Sequence, residues 1–258
     1  MATYLDKILL HHRTVAAEDT RSLDSLITTA RSGPPRRGFR DAVLHCSGLG
    51  VISEIKRRSP SKGELNPGID PSRWALAYAA GGATCLSVLT DTPHFGGSAE
   101  DLMAARAGVD LPVLRKDFTV SARDVADACV MGADAVLLIV AALDDHELTD
   151  FHQLALELGM DVLVETHDEA EVERAMAIGA TMVGVNQRDL VTFEVDTERA
   201  IRVGRSLPAD VVRVAESGVR SADDARTLHE AGYHAVLVGE ALVRSGDPTG
   251  AVAAMRAM

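Results

Sequence analysis

The chain has 258 residues, 47% of them apolar and 25% charged, enough apolar surface to bury a sizeable core in one large domain or two small ones. Its 26 basic and 38 acidic residues give a formal charge of -12, which argues against nucleic acid or an anionic membrane as the main partner, because both draw on positive surface. Cys46, Cys85 and Cys129 stand far apart and in no C-x-x-C spacing, which argues against a disulfide framework or a structural zinc site and fits a reducing cytoplasm.

The first residues, MATYLDKILLHHRTV, carry charge on both sides of a very short apolar run, the pattern of neither a secretory signal nor a membrane span. No myristoylation pattern opens the chain and no C-a-a-X box closes it. Residues 1–48 read as one or two helices, from the spacing of Leu5, Ile8 and Leu9 and of Leu23, Leu26 and Ile27. They break at Gly33-Pro34-Pro35 before a basic Arg36-Arg37 turn. This extension is expected to cover one end of the domain that follows.

From residue 49 a phrase recurs, Gly-Ala or near it followed by a short apolar run: GGATCLSV from 81, MGADAVLL from 131, IGATMVGV from 178 and AGYHAVLV from 231. Each gap holds one more apolar run, LPVLRK from 111, MDVLVE from 160 and DVVRVA from 210, and VISEI precedes them all. That makes eight strand candidates. Helix-period segments lie between them, with capping chemistry at their starts: Asp70 before Pro71, Ser98 with Asp101, Ser121 with Asp124 and Ser221 with Asp224. Strand then helix about every 25 residues predicts parallel strands joined by crossovers. Eight such units point to an α/β fold, a (β/α)8 TIM barrel over 49–258 that forms one domain with its N-terminal helical extension. An open doubly wound sheet is the alternative, but the glycine fingerprint it usually carries after strand one is absent.

In such a barrel the site lies at the C-terminal ends of the strands. Strand one delivers Glu54 and Lys56, strand three Lys116, strand five Glu165, strand six Asn186 and Arg188, and strand seven Glu216 and Ser217. Residues two apart on a strand share a face, so Glu54 and Lys56 point the same way. Any one of these charges alone reads equally well as a solvated rim. Several converging on one mouth make a compensated polar cluster in which pKa values shift. After strands seven and eight, AESGV and VLVGEAL place small residues where backbone N–H groups can approach a phosphate.

Taken together, EIKRRSPSKG at 54–63, LRKDF at 114–118, VNQRDL at 185–190, FEVD at 193–196, AESGV and VLVGEAL resemble the indole-3-glycerol phosphate synthase family of tryptophan biosynthesis. The resemblance covers about the whole chain. Departures are Ser53, where the family commonly has Ala, Gln187 in place of a second Asn, and TVSARDVADA after LRKDF, which lacks a Tyr-Gln pair often found there.

The resemblance implies a carboxy-lyase that closes 1-(2-carboxyphenylamino)-1-deoxyribulose 5-phosphate to indole-3-glycerol phosphate, releasing carbon dioxide and water. It implies Lys116 as general acid in ring closure, and Lys56 holding the substrate carboxylate and serving as acid in dehydration. Glu165 would act as base or charge stabiliser, Glu54 would orient Lys116 and the substrate, Asn186 and Arg188 would position the substrate, and Glu216 would join the polar network. Ser59, Ser217, Gly218, Gly239 and Glu240 would surround the phosphate, and Pro60, Phe95, Phe118 and Leu138 would wall the aromatic ring. No metal or organic cofactor is implied. The partner expected is a phosphorylated small molecule, in a cytoplasmic monomer with an oligomer left open.

Two other readings compete. A sugar isomerase on the same barrel usually pairs an early-strand Cys with an Asp, whereas strand one here ends in Glu54 and Lys56, with Cys46 ahead of it. A non-catalytic phosphate sensor predicts decay of the ionisable set, and that set is filled. The histidines, His11, His12, His94, His146, His152 and His167 among them, have no metal-ligand spacing and are expected at the surface. Trp74 is expected to pack, and RRSPSK to form a mobile loop over the site rather than a targeting signal.

Overall fold

The computed structural model describes residues 3–59, 62–189 and 193–257. The eight apolar runs form eight parallel strands: β1 (Gly50–Ile55), β2 (Cys85–Leu89), β3 (Val113–Lys116), β4 (Ala135–Ile139), β5 (Asp161–Thr166), β6 (Met182–Asn186), β7 (Val212–Glu216) and β8 (Ala235–Val238). Each pairs with its neighbours in sequence, and β1 pairs with both β8 and β2 to close the ring. A closed sheet has no open edge and buries each strand on both faces, which is why the runs are apolar along nearly their whole length. The open-sheet alternative is overturned by that closure.

Three helices precede the barrel: α1 (Tyr4–Glu18), α2 (Leu23–Arg31) and α3 (Phe39–Leu44). The rest follow in order as α4 (Pro71–Ala80), α5 (Thr92–Phe95), α6 (Ala99–Gly108), α7 (Ala122–Val130), α8 (Asp145–Glu157), α9 (Glu169–Ala177), α10 (Thr197–Ser206), α11 (Ala222–Glu230), α12 (Glu240–Arg244) and α13 (Pro248–Arg256). All four predicted caps are made: Asp70, Ser98, Ser121 and Ser221 accept from the backbone N–H of Arg73, Asp101, Asp124 and Asp224. Each supplies an orphan donor of the first turn with a partner and so fixes where a helix leaves its loop.

The extension differs from the expectation in two ways. It holds a third helix, α3, which opens on Gly38 at φ 62° with no side-chain cap and so leaves no capping signature in the sequence. It also reaches both ends of the barrel. Tyr4, Leu5 and Ile8 of α1 face the C-terminal mouth. At the other end the backbone N–H of Arg37 donates to Asp134, that of Arg40 to Asp161, and the Arg37 guanidinium binds the carbonyls of Val109 and Leu111. Phe39 and Val43 are buried there.

Trp74 packs edge-on against Tyr78 with ring centroids 5.6 Å apart, a packing residue as expected. The histidines correct the expectation. His11 and His146 are exposed, but His152 is buried in α8, His167 lies against Glu165 and Glu171, and His12 and His94 converge on buried Asp91.

Ser53 is fully buried, and its hydroxyl has no hydrogen-bond partner. An unpaired buried hydroxyl costs about 1–3 kcal/mol. Ser53→Ala is therefore expected to raise the thermal unfolding temperature with kcat unchanged, as measured by calorimetry; a lower unfolding temperature would mean the hydroxyl is bonded after all.

Candidate active site

The strand ends open into one cavity of about 890 Å³ at the C-terminal mouth. Glu54, Lys56, Lys116, Glu165, Asn186, Arg188 and Glu216 all line it. Parallel register is what assembles them: Glu165 lies opposite Gly184, and Asn186 opposite Glu216. Glu54, Glu165 and Glu216 are each at most 4% exposed, so their charges act on one another with little screening by water.

Lys116 sits at the centre. Its Nζ is 3.2 Å from Glu165 Oε2 and 3.5 Å from Glu216 Oε2. Burial works to lower the Lys116 pKa, but the carboxylates of Glu165, Glu216 and Glu54 outweigh it and hold the ammonium well above its usual range. Burial likewise works to raise Glu165, and there Lys116 and His167, with a 2.9 Å hydrogen bond from Asn186 Nδ2, prevail and lower it to about 2. Glu216 goes the other way. Burial, and then the neighbouring Glu165 charge, push it well above the carboxylate range. Two neighbouring buried carboxyl groups are thus driven in opposite directions by their surroundings.

Glu54 meets the expectation only in part. It makes a close ion pair with Lys56, two residues along the same face, and reaches Lys116 only through its field. Asn186 Oδ1 accepts from the backbone N–H of Arg188, whose Nη1 donates to the Phe193 carbonyl, so Asn186 holds both Glu165 and the chain after β6.

The other end of the cavity suits an anion. Ser217 and Gly218 are consecutive residues with positive φ, at 63° and 75°, which turns the chain sharply after β7. Ser59, Ser217, Gly218, Gly239 and Glu240 all line the cavity. A Cβ at Gly239 would overlap Glu54 Oε1, so glycine leaves the Glu54 carboxylate its place there. Phe95 and Phe118 form an apolar wall, with ring centroids 6.2 Å apart.

A family model described as indole-3-glycerol phosphate synthase matches residues 5–255. The chain belongs to the indole-3-glycerol phosphate synthase family. A protein of that name from a Nocardioides species is 54% identical over 218 residues, 84% of each chain. Another from Laribacter hongkongensis is 46% identical over 259 residues, 98% of each chain. Among solved structures, a thiamine phosphate pyrophosphorylase from Pyrococcus furiosus superimposes with a TM-score of 0.62 at 17% identity, over 81% of this chain and 94% of that one, a likeness of fold alone. No helix among the described residues is long and apolar enough to cross a membrane.

Within the cavity one expected residue is misplaced. Leu138 does not line the cavity; Leu137 and Ile139 do, because alternation along β4 turns Leu138 toward the helices. Pro60 lies outside the described residues. Arg58–Ser59 and Gly63–Glu64 pair as a short antiparallel hairpin, which brings Ser59 and Lys62 to the cavity wall. Arg57 faces away, ion-paired with Asp101 and bonded to the carbonyl of Ile69, and so anchors the hairpin to the barrel.

Several lining residues escaped the sequence reading: Tyr4, Leu5 and Ile8 from α1, Phe193, and the basic Arg220 and Arg244. Gly184, which makes room for Glu216 rather than lining the cavity, did leave a signal. A Cβ there would collide with Glu216 Oε1, and a glycine inside a strand marks such a close approach.

Proposed function

We propose that this cavity carries out indole-3-glycerol phosphate synthesis with the two lysines as its acids and Glu165 as its base. The carboxylate-bearing ring carbon of the substrate attacks the ketose carbonyl, and the oxygen that develops negative charge takes a proton from Lys116. Loss of carbon dioxide restores the ring. The hydroxyl then leaves as water, protonated by Lys56, while Glu165 accepts the proton released as the double bond forms. What supports the reading above all is the arrangement at Lys116, an ammonium held charged beside two buried carboxyl groups whose pKa values are driven in opposite directions.

The charge coupling also supplies an order of events. Glu165 is kept a weak base first of all by the ammonium of Lys116. Once Lys116 gives its proton to the substrate that charge is gone, and Glu165 becomes basic enough to accept one. Lys56 and Arg188 reach the mouth with Asn186 to hold the substrate carboxylate and hydroxyls. The phosphate rests against Ser59, Ser217 and the backbone at Gly218, Gly239 and Glu240, with Arg220 and Arg244 lending positive charge.

The isomerase reading needs a cysteine at the mouth. Cys46 instead borders a separate small pocket with Val43, Gly48 and His234, beside the start of β8. We infer a cytoplasmic location, supported by three free thiols.

Fluorescence detection of indole-3-glycerol phosphate from the anilino-deoxyribulose phosphate tests the activity; no product at saturating substrate would refute it. For the division between the lysines, Lys56→Ala is expected to accumulate the closed, decarboxylated and still hydrated intermediate in single-turnover quenching. Weakened binding with no intermediate would reduce Lys56 to positioning the substrate.

A further inference from the structure

Outside the catalytic set, a second polar cluster joins the N-terminal extension to the barrel. Asp91 follows β2 and caps α5, with Oδ1 accepting from the backbone N–H of His94 at 2.6 Å and of Phe95 at 3.3 Å. That duty fixes the carboxylate and leaves Oδ2 for two imidazoles. His12 Nε2 lies 2.8 Å from it and His94 Nδ1 2.9 Å. His12 comes from α1, 79 residues earlier in the chain than Asp91. The three ligand atoms all lie within 4.8 Å of one another, and a second carboxylate oxygen, Asp117 Oδ1, is 3.9 Å from His12 Nε2.

We propose that His12, Asp91 and His94 bind a divalent transition-metal ion of the zinc type, clamping α1 to the loop after β2. Two imidazoles and a carboxylate are the donor set such an ion prefers, at metal–ligand distances of about 2.0–2.2 Å. Tetrahedral bonds of that length set ligand atoms about 3.3 Å apart, so each imidazole need retreat from Asp91 by only a few tenths of an ångström. The Asp91 side chain is fully buried. Asp117, ion-paired with Arg115 at 2.9 Å through Oδ2, offers its Oδ1 as a candidate fourth ligand.

The position gives the ion a structural consequence. Leu5, Ile8 and His12 are spaced three and four apart and share one face of α1, and the first two wall the catalytic cavity. A bound ion would fix the helix that forms this wall. The proposal is independent of the ring-closure mechanism, since none of the three ligands takes part in it.

Chelator-treated full-length protein titrated with Co²⁺ should show the visible d–d bands of a four-coordinate ion, saturating at one per chain and lost on adding Zn²⁺. At about a hundredfold excess of Zn²⁺ over Kd, the unfolding temperature should rise by about 5–10 °C. His12→Ala and His94→Ala should each weaken binding by at least about tenfold and cut the thermal shift at the same Zn²⁺ concentration to about half or less, with folding checked by circular dichroism, while exposed His146→Ala should change neither. Wild-type protein that shows no saturable binding would overturn the proposal without recourse to any variant, leaving a hydrogen-bonded clamp. Unchanged binding in both ligand variants would overturn it by placing the ion elsewhere.

Discussion

Lys116→Met is expected to lower kcat by about 10²–10⁴-fold, the range for loss of a positioned general acid, with substrate affinity changed less than about tenfold. Methionine fills the space of the lysine stem and removes only the ammonium. The remaining groups then report on the cluster. Glu165 loses the chief charge that lowers its pKa and is left buried beside Glu216 and Glu54. A buried charge stripped of its partner costs about 3–5 kcal/mol unless it takes a proton. In the variant Glu165 should do so, with a folded-state pKa above its unfolded value near 4.5. A carboxyl raised in this way binds a proton that the unfolded chain has released, so stability falls as pH rises beyond about 4.5. The variant should therefore lose more unfolding temperature relative to wild type at pH 8 than at pH 5. Turnover near the wild-type value would remove Lys116 from the chemistry, and a pH-independent stability loss would refute the coupling to Glu165.

The same cluster shows what the sequence could and could not disclose. Glu54, Lys56, Lys116, Glu165, Asn186, Arg188 and Glu216 were legible because each interrupts or ends an apolar run, and strand alternation and barrel topology carry such residues to one place. The four caps were legible for the same local reason. Pairings across the mouth were not. Glu54 could have served either lysine, and only the register and the tilt of the strands give it to Lys56. Leu138 was misassigned because an all-apolar strand offers no alternation to show which face is inward. Tyr4, Leu5 and Ile8 could be read as an amphipathic face, but nothing local says what that face covers. His12, Asp91 and His94 meet only because α1 crosses the mouth, a contact fixed by tertiary packing with no periodicity of its own.

Glu216→Gln is expected to stabilise the fold while impairing catalysis. Burial and then the Glu165 charge raise the Glu216 carboxyl well above its ordinary 4.5, so the folded protein holds a proton there that the unfolded chain releases above that value. Linkage then makes wild-type stability decline as pH climbs from about 4.5 toward the folded-state pKa. Glutamine keeps the shape, carries no charge, fits the space left by Gly184, and does not titrate. The unfolding temperature of the variant should exceed that of wild type at pH 8, and the difference should shrink to nothing as pH falls below about 4.5. Catalysis should move oppositely. An amide can donate a hydrogen bond to Glu165 but cannot exchange a proton with it or with Lys116, so kcat should fall by about tenfold or more. A stability difference that does not vary with pH, or that favours wild type at pH 8, would mean Glu216 is ionised in the fold. Lys116 would then stand between two carboxylates, and the contrast in charge that gives Glu165 and Glu216 separate tasks would be absent.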